Sequence, residues 1–155
     1  MNKIKSRRAL ETLVKKFRVQ GKRIIFTNGC FDIIHPGHIK VLRQAKQKGD
    51  ILIVGLNSDC SIRRIKGENR PVNNQTYRAQ VLAAIGTVDY VVLFNEDTPY
   101  ELIKTIRPDC LVKGGDWGKE NIVGSDIVKK VYRVKLRRGY STTNIIKKII
   151  KNTKP

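Results

Sequence analysis

The sequence predicts an α/β fold, a parallel sheet held between two layers of helices. Three observations carry that prediction. Five short apolar runs (residues 23–27, 51–56, 90–94, 110–113 and 131–136) alternate with stretches of helical periodicity, the pattern of strand–helix–strand units. The run from Ile51 to Leu56 is apolar throughout, as expected of a parallel strand covered on both faces. Polar loops follow the first, second, fourth and fifth strands. In such sheets ligands bind at the carboxyl ends of the strands, near a topological switch point.

The elements follow in order. Residues 6–18 read as a helix, with Ser6 as cap, Leu10, Leu13, Val14 and Phe17 at helical spacing, and Gly21 at its end. The first strand runs through Asn28 and Gly29 into a helix that opens at His35-Pro36-Gly37-His38. That helix places Ile39, Leu42 and Ala45 on one face, with Val41 beside it, and is closed by Gly49. After the second strand, Asn57-Ser58-Asp59 turns into a short basic helix over residues 61–65. Residues 66–74, KGENRPVNN, form a polar loop, and Asn74 caps a helix over 75–85. Thr98-Pro99-Tyr100-Glu101 predicts the next helix start, with Thr98 as cap, Pro99 in the first position and Glu101 completing a capping box. A glycine loop at 114–118 follows the fourth strand, and a short helix over 125–130 leads to the fifth. Ser141-Thr142-Thr143 opens the last helix, with Ile145, Ile146, Ile149 and Ile150 on one face.

Composition bounds the function. A chain of 155 residues, 40% hydrophobic and 29% charged, fits one domain with a proper core. Residues 1–21 supply an N-terminal helix and residues 22–150 the core. No apolar run approaches the roughly 20 residues that span a bilayer. The start of the chain lacks the apolar core of a secretory signal, and Cys30, Cys60 and Cys110 stand too far apart for a CxxC pair. These features point to reduced thiols and a cytoplasmic protein. The net charge of +19 fits nucleic acid, an anionic surface or small polyanionic substrates. Its cations are spread from Lys3 to Lys154, and aromatics are only 6%, a poor supply for stacking bases. A basic nucleic-acid-binding protein is therefore the alternative from a different class.

Both histidines of the chain, His35 and His38, sit at one predicted helix start with Gly37 between them. A helix N-terminus presents unpaired N–H groups and a positive dipole end, so it suits phosphate. Gly29 and Gly37 let backbone approach a ligand, and two imidazoles there can donate to phosphates. Their spacing alone could bind zinc, but no third His exists and no Cys adjoins them, so no protein-held metal is expected. Arg78 lies on the buried-facing stripe of its helix and needs an anionic partner, either a ligand phosphate or an internal carboxylate. Asp32 reads equally as an internal cap or as a residue near the metal and acceptor.

These residues resemble the His-x-Gly-His nucleotidyltransferase superfamily. The markers are FTNGCFDIIHPGH, the Lys66 loop, Arg78 and Ser141-Thr142-Thr143, and they cover residues 23–150. Within it the chain is similar to the cytidylyltransferase-like family, and most to the adenylyltransferase domain of ADP-heptose synthases, through NSD, KGENRPVN, EDTP, LVKGGDW, IVGS and STTNIIKKI. Arg138-Gly139-Tyr140 precedes Ser141 without the acidic residue usual in cytidylyltransferases, which favours the heptose reading.

The resemblance implies a Rossmann-like three-layer α/β/α fold of nucleotidyltransferase type with a five-stranded parallel sheet. It implies transfer of AMP from ATP to D-glycero-β-D-manno-heptose 1-phosphate, with Mg2+ arriving on the triphosphate and a homodimer as the assembly. The sister activity, CTP with glycerol 3-phosphate or another polyol phosphate, is the alternative. With no kinase segment present, a stand-alone transferase is expected. His35, His38 and Lys66 would be catalytic. Thr27, Asn28, Gly29, Cys30, Phe31, Gly37, Arg78, Lys113, Gly115, Asp116, Ser141, Thr142 and Thr143 would bind the nucleotide and its phosphates. Asp32, Asn57, Arg70 and Trp117 would touch the acceptor. A solvated basic loop is the plainer account of Lys66, and helix capping the plainer account of one of the three hydroxyls.

Overall fold

A computed structural model of the chain describes residues 2–115, 122–136 and 141–153. Its elements are β1 (Ile4–Lys5), α1 (Arg7–Val19), β2 (Ile24–Gly29), α2 (Pro36–Lys46), β3 (Ile51–Asn57), α3 (Asp59–Lys66), α4 (Gln75–Ala84), β4 (Tyr90–Phe94), α5 (Tyr100–Ile106), β5 (Cys110–Gly114), β6 (Lys130–Val134) and α6 (Thr142–Thr153). All strands are parallel, in the order β1-β4-β3-β2-β5-β6.

The sheet has six strands where the sequence predicts five. The extra one is β1, whose two residues pair with Val91 and Val92 at the edge of β4. Two residues are too few to show a period, so the run 1–21 reads as helix alone.

β2 alternates its side chains between the two faces. Ile24 and Phe26 face α1 and α5, together with Leu10, Val14, Phe17, Leu102 and Ile106. Ile25 faces α2 and α4, with Leu42, Ala45, Ala79 and Leu82. Burying each such side chain is worth about 1.5–3 kcal/mol, so both layers are held by apolar area. At Gly55 on β3 a Cβ would lie 2.6 Å from the Phe26 ring on neighbouring β2, so the glycine makes room for that ring within the sheet.

Three local expectations shift. α5 begins at Tyr100 with Pro99 in the cap position and no side-chain cap, so the Thr98 capping box does not form. Turns span residues 123–127, and β6 starts at Lys130, where a helix over 125–130 is predicted. Gly124, just before that segment, has φ +85°, a left-handed turn conformation, and a Cβ there would meet the Ile103 side chain. Lys66 is the last residue of α3 and not part of the loop that follows. Ser6 and Asn74 cap α1 and α4 as expected, accepting from Ala9 N–H at 3.2 Å and Tyr77 N–H at 3.0 Å.

The connection β2–α2–β3 steps one way across the sheet, whereas β5 leads to β6 in the other direction. The switch point therefore lies between β2 and β5, and the candidate site opens at their carboxyl ends. Among the described residues no helix is long and apolar enough to cross a membrane.

Candidate active site

The site is built on the first turn of α2. Pro36 opens the helix, where its missing N–H costs nothing. His35 is the cap residue, yet its side chain makes no cap bond. The ring instead stacks on His38, one turn along, with centroids 3.7 Å apart and planes 21° from parallel. Gly37 makes this possible. A Cβ at that position would lie 2.9 Å from His35 Cε1 and 3.0 Å from Nδ1. The glycine of the His-x-Gly-His spacing thus clears room for the first imidazole, and the three-residue step brings the second against it.

Both Nδ1 atoms are buried and have no hydrogen-bond partner among the described residues. Burial, then the neighbouring His35, pushes the pKa of His38 down to about 4. Burial also lowers that of His35, against a smaller opposing pull from its own backbone. Both rings are accordingly neutral near pH 7, each with one N–H to donate. Phe31, at a left-handed φ of 44°, presents its ring to His38 at 5.0 Å. A non-glycine residue held there is strained, and such outliers collect at functional sites.

A cavity of about 470 Å3 opens before the pair. Its floor is the strand end and loop from Thr27 through Asn28, Gly29, Cys30 and Phe31 to Asp32. Lys66, Arg70, Ser141, Thr142 and Thr143 line it as well. Ser141 caps α6, accepting from Asn144 N–H at 3.1 Å, so Thr142 and Thr143 occupy the first turn of the helix. None of the four α6 isoleucines is buried, and Ile149 and Ile150 are half exposed.

Of the two partners open to Arg78, the structure holds the internal one. Its side chain, 1% exposed, donates to Asp59 Oδ1 at 2.6 Å, to the carbonyls of Cys30 and Asn57 at 2.6 and 2.9 Å, and from Nε to Asn73 O at 2.9 Å. It ties three loops together beneath the cavity and does not line it. Asp32 is likewise occupied. It accepts from Arg70 Nε at 2.8 Å and from the N–H groups of Val72 and Asn73 at 2.9 Å. Burial alone would raise its pKa, but the Asn73 and Val72 N–H groups and then Arg70 outweigh this and hold it below the usual carboxylate range. Asp32 caps no helix, since His35 holds the cap position of α2 and Asn74 that of α4; its oxygens hold the 70–73 loop.

Asp32→Asn should destabilise the fold at neutral pH by about 1.5–3 kcal/mol, the worth of hydrogen bonds to a charged group. Because the folded pKa is depressed, the stabilisation is complete above the unfolded pKa of about 3.9 and is lost as pH falls through the folded value. Urea melts of the two proteins should differ at pH 7 and converge in acid.

A second cavity of about 380 Å3 shares Asn28, Gly29, Cys30 and Gly114 with the first. Lys113 and Asn57 line it, along with Asp97, Thr98 and Ile122. The Lys113 ammonium donates to Asn28 Oδ1, and burial pulls its pKa down to about 8, a little offset by Cys30. The Asn57 amide donates to Ser61 Oγ at 2.9 Å, so its polar end is satisfied within the protein. Gly115, at φ +113°, donates to Val134 O at 3.0 Å and joins the loop to β6. Asp116 and Trp117, like Arg138-Gly139-Tyr140, lie outside the described residues.

The site has members that sequence reasoning missed. Asp59 and Asn73 satisfy Arg78; an acid on the first turn of α3 was the available signal. Asp97, Thr98 and Ile122 line the second cavity, as loop residues at strand ends do in such folds. For a divalent ion, no three His, Cys, Asp or Glu side chains group together among the described residues. Asp32, the carboxylate of the first cavity, spends its oxygens on Arg70 and the loop. These residues do not form a protein cage for a metal.

The chain is similar to several known proteins. The chain is 54% identical over 147 residues, 95% of its length, to the bifunctional protein HldE of Wolinella succinogenes, and it spans 31% of that protein. A lipopolysaccharide core biosynthesis protein from Thermoplasma volcanium superposes with TM-score 0.64 at 26% identity, over 74% of this chain and 97% of that one. A pantoate-β-alanine ligase from Francisella tularensis shares the fold, with TM-score 0.67 at 15% identity, over 94% of this chain and 76% of that one. The cytidylyltransferase-like family model matches residues 26–148. With that match covering the strand, the histidine pair and the last helix, the chain belongs to the cytidylyltransferase-like family.

Proposed function

We propose that the protein transfers AMP from ATP to D-glycero-β-D-manno-heptose 1-phosphate, releasing pyrophosphate. The observation that carries this reading is the stacked His35–His38 pair. Both histidines line a cavity that Lys66, Arg70 and the hydroxyl-bearing start of α6 also line, and the buried Nδ1 of each ring has no partner among the described residues. The 54% likeness to HldE supports the heptose acceptor.

A phosphate oxygen of the sugar attacks the α-phosphorus, the bond to the β-phosphate breaks, and pyrophosphate departs with the electron pair. No covalent enzyme intermediate is required. The protein's part is positioning and charge stabilisation. The neutral imidazoles donate N–H bonds to the triphosphate without bringing a proton that must be removed. The cations Lys66 and Arg70 neutralise the oxygens of the leaving group, and the dipole end of α6 adds to them. Mg2+ would enter on the triphosphate, keeping most of its waters, and would neutralise phosphate charge.

The test is pyrophosphate release by the purified protein with Mg2+ and either ATP or CTP, each with and without heptose 1-phosphate. Release with ATP plus the sugar phosphate alone is the expected result. Release with CTP and glycerol 3-phosphate instead would move the reading to the sister activity, and no release with either pair would overturn it.

A further inference from the structure

We propose that the second cavity seats the phosphate-bearing end of the acceptor, a sugar or polyol phosphate, and that Lys113 is the cation that selects it. This deepens the nucleotidyl-transfer reading and rests on it for giving the first cavity to the triphosphate. The two cavities meet at Asn28, Gly29, Cys30 and Gly114. An anion in the second therefore lies beside a phosphate chain in the first, which is what in-line attack at about 3–3.5 Å requires.

Lys113 is the next-to-last residue of β5, across the switch point from the end of β2, and Asn28 on β2 accepts from its ammonium. That acceptor is a neutral amide. No carboxylate among the described residues pairs with Lys113. A half-buried ammonium with no carboxylate beside it gains from an anion, so the cavity suits an anionic group. The rest of the lining suits a small polyhydroxylated body. Asp97 and Thr98 offer polar atoms at the rim, and Ile65, Pro99 and Ile122 give apolar walls. About 380 Å3 is at the small end of ligand pockets, too tight for a nucleotide and a sugar together.

Burial leaves Lys113 with a pKa of about 8. The other titratable groups lining the cavity are Cys30, on the loop after β2, and Asp97, on the loop after β4, which pairs with Arg64 of α3 at 2.7 Å. Lys113 is charged below about pH 8 and loses its charge above it. An arriving phosphate favours the charged form, so acceptor affinity should fall as pH rises through this range.

Calorimetric titrations of the full chain with heptose 1-phosphate, inorganic phosphate and α,β-methylene-ATP with Mg2+ test the proposal. Lys113→Met should weaken both heptose 1-phosphate and inorganic phosphate at least tenfold, leave α,β-methylene-ATP within twofold, and raise the KM for the acceptor more than it lowers kcat. Lys113→Arg should recover part of the loss. Wild-type affinity for heptose 1-phosphate should drop between pH 7 and 9 and stay flat in Lys113→Arg, which keeps its charge, a comparison that decides the matter even if Lys113→Met fails to fold. Lys113-dependent binding of inorganic phosphate without turnover of heptose 1-phosphate would sink the heptose reading and leave this one standing. Unchanged sugar-phosphate binding in Lys113→Met, equal loss of the ATP analogue, or no phosphate binding by the wild type would each overturn it.

Discussion

His38→Ala is expected to lower kcat for pyrophosphate release by about 10²–10³-fold, the loss typical of removing one donor from a site that stabilises anionic oxygens. The KM values should change only a few-fold, and the far-ultraviolet circular dichroism should match that of the wild type. His38 is half-buried, its ring lies against those of His35 and Phe31, and it is not a member of either apolar core, so its removal leaves the core intact. The pH profile carries a second expectation. Since burial and His35 hold His38 near 4, any acid limb of kcat/KM set by this pair in the free enzyme should lie well below the 6.5 of an ordinary histidine. Near-normal turnover in His38→Ala would show that the pair is not part of the chemistry.

Arg78→Met should cost more stability than any other single change discussed, about 3–5 kcal/mol, the range for breaking a buried ion pair on one side. Methionine matches much of the volume but abandons the Asp59 carboxylate and the carbonyls of Cys30, Asn57 and Asn73. Lysine is no remedy, because a point charge cannot reproduce a planar fork aimed at four acceptors. Urea denaturation followed by circular dichroism measures the loss; a change under 1 kcal/mol would mean that the loops do not depend on the guanidinium.

Much of this molecule can be read before any coordinates. Ile51 to Leu56 announces a central strand, Ser6 and Asn74 announce caps, and His35-Pro36-Gly37-His38 announces a helix start that brings two imidazoles together, because each signal is local in the chain. What escapes is decided by distant neighbours. β1 exists only because β4 offers an edge. The partner of Arg78 is chosen by where the first turn of α3 falls, 19 residues upstream. Asp32 meets Arg70 through a loop whose path no periodicity encodes. Glycine 37 is legible as permissive, but its actual office, clearing room for the His35 ring, depends on the rotamer of its neighbour.

The two ends of the sheet show how such a chain stays unentangled with its copies. A strand edge is a template on which another molecule can add a strand, the first step towards fibres and aggregates. Here one edge is the two-residue β1, flanked by Lys3 and carrying Lys5, and the other is β6, carrying Lys130 and Arg133. The first is too short to template growth, and cations dot both. A second copy approaching edge to edge brings the same positive charges with it, in a protein that already carries +19, so growth by strand addition meets repulsion before it meets a hydrogen bond.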